Sequence, residues 1–86
     1  MAEDQKSIRN FIGKTVVSKT GKRFGEVGNL TFELRTGELI QIVLKDSTPY
    51  SRNLNLELSS NKEALIPYNT IIAIGDFVVV SEEDLM

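Results

Sequence analysis

Cysteine, histidine and tryptophan are all absent from this 86-residue chain, and proline occurs only twice. Without cysteine there is no disulfide and no thiolate metal site. Without histidine the usual proton shuttle of enzyme chemistry is missing. No apolar run approaches the ~18 residues that a membrane span requires. The opening segment, Met1-Ala2-Glu3-Asp4-Gln5-Lys6, begins with acid and has no apolar core behind it, unlike a secretory signal. These absences point to a cytosolic, non-enzymatic protein with no cofactor, no metal and no direct membrane insertion.

Hydrophobic residues make up 41% of the chain and charged residues 26%, an ordinary balance for a globular protein. The length suits a single domain, residues 1–86, with its core expected over about residues 11–80. The most apolar stretch is Leu65 to Val80. Two β-branched runs flank Gly75-Asp76, a pair suited to a tight hairpin turn. This stretch reads as the closing hairpin of a small barrel.

The earlier segments supply the other strands. Ile8, Phe11 and Ile12 share one side of a helical turn that Gly13 ends. Lys14 to Lys19 reads as a first strand. Arg23 to about Leu34 reads as a second, with Phe24, Val27, Leu30, Phe32 and Leu34 directed inward. Two of the steps between those residues span three positions, which a flat strand would throw onto opposite faces. A β-bulge in each gap restores the parity, and Gly25 and Gly28 fall inside the two gaps. The second strand is therefore predicted to be long and strongly coiled, as barrel closure requires.

Leu39 to Lys45 reads as a third strand, with Ile40, Ile42 and Leu44 on its core face. Asp46 to Arg52 reads as a loop bent by Pro49. Asn53 to Leu58 alternates strictly, which predicts a half-buried strand. Glu63 to Pro67 pairs back as a short strand, and Ser81 onward starts like a capped helix. The fold class is thus all-β: a small barrel of about six strands with short terminal turns.

The motifs that could carry chemistry do not hold up. No Gly-x-Ser-x-Gly elbow surrounds any serine. The twelve carboxylates are scattered over predicted loops and polar strand faces. Gly13-Lys14-Thr15 resembles the end of a phosphate-binding loop, but Ile8 stands where that loop needs its first glycine. Asn29-Leu30-Thr31 matches a glycosylation acceptor inside a predicted strand.

Charge is unevenly spread: residues 1–45 carry a net +3 and residues 46–86 a net −5. Lys14, Lys19, Lys22 and Arg23 gather around the first hairpin as a candidate basic patch. The aromatics nearest to it, Phe11 and Phe24, are expected to be buried and so offer bases no stacking platform. Nucleic-acid binding is therefore disfavoured.

The informative excess is apolar. A closed barrel needs one inward face per strand, yet several strands are apolar on both. Leu39 and Val43 lie opposite the core residues of the third strand. In the closing hairpin Ile71 and Ala73 stand against Ile72 and Ile74, and Phe77 and Val79 against Val78 and Val80. Either the terminal segments cover the outer set, through Ile8, Phe11, Ile12, Leu85 and Met86, or a second subunit does. The expected interface is Leu39, Val43, Ile72 and Val78, joined by Tyr50, Leu54, Leu56 and Leu58. Ordinary barrel core is the alternative for the last three leucines.

Gly13-Lys14-Thr15-Val16-Val17-Ser18, Gly21, Phe24-Gly25-Glu26-Val27, Thr36-Gly37-Glu38-Leu39, Ile66-Pro67-Tyr68 and Ile74 to Val80, in that order and spacing, resemble the PRC-barrel family. The resemblance runs from about Phe11 to Val80. The hairpin from Asn53 to Glu63 is longer than in the shortest members and looks like the stand-alone archaeal type. The resemblance implies a binding module with no catalytic residues to carry over. It also implies a self-associating cytosolic adaptor, similar to those that link the FtsZ ring, through SepF, to other archaeal division proteins. The alternative is a ribosome- or RNA-associated factor similar to the C-terminal domain of the ribosome maturation factor RimM.

Overall fold

The structure, a computed structural model, describes residues 11–85. Six strands make one sheet: β1 (Thr15–Ser18), β2 (Arg23–Phe32), β3 (Leu39–Lys45), β4 (Leu65–Pro67), β5 (Ile71–Ile74) and β6 (Phe77–Val80). Their hydrogen-bonded order is β4-β3-β2-β1-β6-β5. Every pairing is antiparallel except β1 with β6, which is parallel. A 3₁₀ turn over Tyr68–Thr70 carries the chain directly from β4 to β5, the two terminal strands of that order. A turn of chain thus joins the two outermost strands, with no ladder between them among the described residues. The all-β expectation holds.

Both glycine-bearing bulges are present. Between β1 and β2, Val16 stands opposite Gly25 and Val17 opposite Arg23, leaving Phe24 as the extra residue. Between β2 and β3, Val27 stands opposite Leu44 and Asn29 opposite Val43, leaving Gly28 extra. The first bulge keeps Phe24 and Val27 both fully buried despite their three-residue spacing. Here the backbone of β3 runs close. A Cβ on Gly25 would lie 2.9 Å from the Lys45 carbonyl oxygen, and one on Gly28 would lie 2.8 Å from the Lys45 Cβ. No larger residue fits either position without displacing β3.

The core is filled by Val16, Phe24, Val27, Ile42, Leu44, Ile66, Val78 and Val80, with Phe11 and Ala64 at its margin. Parallel pairing puts Val16 beside Val78 and Ser18 beside Val80. That register turns Val78 and Val80 inward and Phe77 and Val79 outward. The placement of Val78 on an outer interface is thereby corrected.

Further expectations are revised. Asn53 to Leu58 forms no strand: Asn55 adopts a positive φ of 57°, and only Leu58 makes a bridge, to Ala64. The edge of β3 that such a strand would need is taken by β4. Ahead of it the predicted loop contains a helical turn, α1 (Pro49–Arg52), in which Thr48 caps the Ser51 amide at 3.3 Å and Pro49 fills the first position. Such a Thr-Pro pair is a recognisable helix start.

The β2–β3 hairpin outruns the core. β2 ends at Phe32, and Leu34 is fully exposed. Ile40 is the unmatched residue where Thr31 faces Gln41 and Phe32 faces Leu39, and it is exposed instead of joining Ile42 and Leu44.

The terminal residues expected over the outer wall divide, among those described. Phe11 enters the core and Ile12 is exposed. Leu85, on the short helix α2 (Glu82–Leu85), packs against the core cluster. Ile8 and Met86 lie outside the described residues.

Candidate functional site

Of the expected interface residues, the structure brings only some to the surface. Leu39, Tyr50, Leu54 and Leu56 are half-buried and pack on the core, and Val43 is half-buried on β3. The Tyr50 ring meets Phe24 edge-on, with centroids 5.7 Å apart and planes at 77°. Leu54 and Leu56 pack on the core with only part of each side chain, and Leu56 also lines a surface cavity. Leu58 and Ile72 are 57% and 52% exposed, on β4's flank and on β5 respectively. No single face collects the whole set.

Two hairpins expose large apolar side chains: β2–β3, through Phe32, Leu34 and Ile40, and β5–β6. Phe77 is 53% exposed and Ile74 48% exposed, which with Ile72 gives one hairpin three large apolar side chains half open to water. Ile72 arrives there because it is the extra residue between the Ile71–Val80 and Ala73–Val79 pairs. Phe77 could have been singled out from the sequence only by knowing the parity of β6, which is set by its pairing with β1; Ile74 pairs with the inward Val78 and is exposed nonetheless. β5 also ends the hydrogen-bonded order, so its second edge has no ladder partner among the described residues. It carries neither lysine nor proline, residues that commonly guard an edge strand.

Farther round the wall, β2 and β3 present charge. Glu26 receives Arg23 at 3.4 Å and Lys45 at 3.9 Å. This ion-paired strip lies next to β1, whose Thr15 stands between Glu26 on one side and Phe77 on the other.

The candidate basic patch is occupied by its own neighbours. The Lys14 ammonium donates to the Gly75 carbonyl, Lys19 pairs with Glu83 at 3.8 Å, and Lys22 lies 5.9 Å from the Tyr50 ring centroid. Arg23 is held by Glu26. Thr20 adds a hydrogen bond to Glu82 at 3.0 Å, so α2 is tied to the first hairpin by two side chains. A phosphate ligand would have to displace each contact in turn, though exposed ion pairs yield at little cost.

A cavity of about 300 Å³ lies between α1 and the turn at Ser59–Lys62. Its apolar wall is Leu56, Leu58 and Ala64, and its polar side includes Ser47, Arg52 and Lys62. The turn is held by Ser59, whose hydroxyl accepts from the amides of Asn61 and Glu63 at 3.3 and 3.2 Å. Lys62 sits in the left-handed region, with φ 65°. Sequence reading noticed the leucines here and missed the two cations beside them, which lie ten positions apart with no shared motif.

Among the described residues no helix is long and apolar enough to cross a membrane. The family model of the PRC-barrel domain matches residues 3–85. An uncharacterised protein of the archaeon Methanocaldococcus jannaschii is 26% identical over 74 residues, covering 84% of this chain and 76% of the relative.

Proposed function

The chain belongs to the PRC-barrel domain family, and from that premise we propose that it is a non-catalytic protein–protein interaction module that associates with itself through its β5–β6 hairpin. Domains of this family generally mediate protein interactions. The observation that carries the self-association reading is the trio Ile72, Ile74 and Phe77, half exposed on one hairpin. Large apolar side chains left open on one hairpin can be buried by a second copy. The open edge of β5 offers main-chain pairing to a second copy in addition to side-chain burial.

Sedimentation velocity across a concentration series tests this. The unmodified chain is expected to populate a dimer or larger species at high micromolar concentration, and Ile72→Lys with Phe77→Ser to return it to monomer. A monomer at every concentration removes the self-association reading.

By resemblance alone we propose that the adaptor serves cell division, with the FtsZ and SepF machinery as the partner class. Affinity capture from the native host is the test. Recovery of division proteins sustains the assignment; recovery of ribosomal proteins without them replaces it by the ribosome-associated alternative. The partners already held by Lys14, Lys19, Lys22 and Arg23 weigh against that alternative.

A further inference from the structure

Arg52 and Lys62 are the only basic residues after Lys45, in a stretch that otherwise carries seven acidic side chains. Both line the cavity beside α1. Neither is ion-paired among the described residues, whereas Lys19, Arg23 and Lys45 all are. Arg52 keeps one long contact, from Nε to the Thr48 carbonyl at 3.4 Å, which leaves its two terminal nitrogens uncommitted. The acids nearest in sequence, Asp46, Glu57 and Glu63, are exposed and do not line the cavity.

Two unpaired cations beside an apolar wall define a ligand by complementarity. A carboxylate at the mouth would relieve their mutual repulsion and accept the planar Arg52 fork in a bidentate pair. An apolar side chain next to that carboxylate would bury against Leu56, Leu58 and Ala64. The volume, about 300 Å³, is at the small end of ligand pockets, suited to one side chain and its neighbour. We propose that this cavity binds an acidic peptide segment in which a leucine-sized side chain adjoins one or more carboxylates. The site is separate from the β5–β6 hairpin and does not rest on self-association.

The test is fluorescence anisotropy with a labelled peptide of alternating aspartate and leucine. A serine–leucine peptide, a lysine–leucine peptide and a short single-stranded oligonucleotide serve as comparisons. The aspartate–leucine peptide is expected to bind saturably, more tightly than the others, and to weaken as salt rises. The double variant Arg52→Gln, Lys62→Asn should weaken it at least about tenfold, the loss of a charge-assisted contact. Asparagine is chosen because it tolerates the left-handed backbone at position 62. Leu58→Ser should weaken it several-fold with the thermal midpoint unchanged.

Absence of saturable binding at millimolar peptide overturns the proposal. So does equal affinity for the serine–leucine peptide, or a double variant that folds and binds unchanged. Tighter binding of the oligonucleotide, lost in the double variant, would reassign the cavity to phosphate. If the double variant does not fold, the salt series and the serine–leucine comparison on the unmodified chain decide the question.

Discussion

β3 and β5 make an instructive pair. β3 reads Leu-Ile-Gln-Ile-Val-Leu-Lys and includes two polar residues; β5 reads Ile-Ile-Ala-Ile and includes none. Yet β3 contains two buried core residues, Ile42 and Leu44, while three of the four residues of β5 are exposed. The more apolar strand is the wetter one. β3 lies between β2 and β4, whereas β5 has β6 on one side only. Hydropathy limits how much of a strand can be buried, and its position in the sheet decides how much is. An edge strand that keeps its apolar residues is left with surface to spend on a partner, and the self-association reading rests on that surplus.

The largest expected effect separates the two strands directly. Ile42→Ala removes a fully buried side chain and should lower unfolding free energy by about 2–5 kcal/mol in urea titration. If Ile72→Ala produced an equal loss in the isolated protomer, the contrast between interior and edge would fail. Next comes Gly28→Ala, which sets a methyl group 2.8 Å from the Lys45 Cβ where β2 passes β3. Overpacking there should destabilise by about 1–3 kcal/mol, while β5, with no second neighbour, has no equivalent position.

Thr48→Ala removes the cap of α1 and a hydrogen bond to the Arg23 carbonyl. A loss of about 1 kcal/mol is expected by thermal or chemical denaturation. The smallest stability effect belongs to Ile72→Lys. Under conditions where the chain is monomeric, it should shift unfolding free energy by less than about 0.5 kcal/mol, while abolishing association in sedimentation. A large loss in the monomer would show that Ile72 supports the barrel itself and would weaken the case for an interface.

Much of the fold was legible in the residues because it follows from local parity. The three-residue steps around Gly25 and Gly28 required bulges, and bulges are there. Gly75-Asp76 required a hairpin, and β5 and β6 flank it. Where the reading failed, pairing was the cause. The alternation of Leu54, Leu56 and Leu58 looked like a strand, but β4 already held the available edge of β3. The outward assignment of Val78 failed because the parity of β6 is fixed by β1, about sixty residues earlier in the chain.

The candidate sites divide in the same way. An apolar surplus was visible from composition. The strand pattern placed Ile72 on the outside, but not Phe77, and gave no sign of the meeting of Arg52 with Lys62 at one cavity. Side-chain period and the steric freedom of glycine act within a few residues, so the order of amino acids alone determined the strands, the bends in β2 and the tight turn before β6. Which strand stands at an edge, and which cations find a carboxylate, depend on segments distant in the chain coming together, and those features were decided only when the sheet assembled.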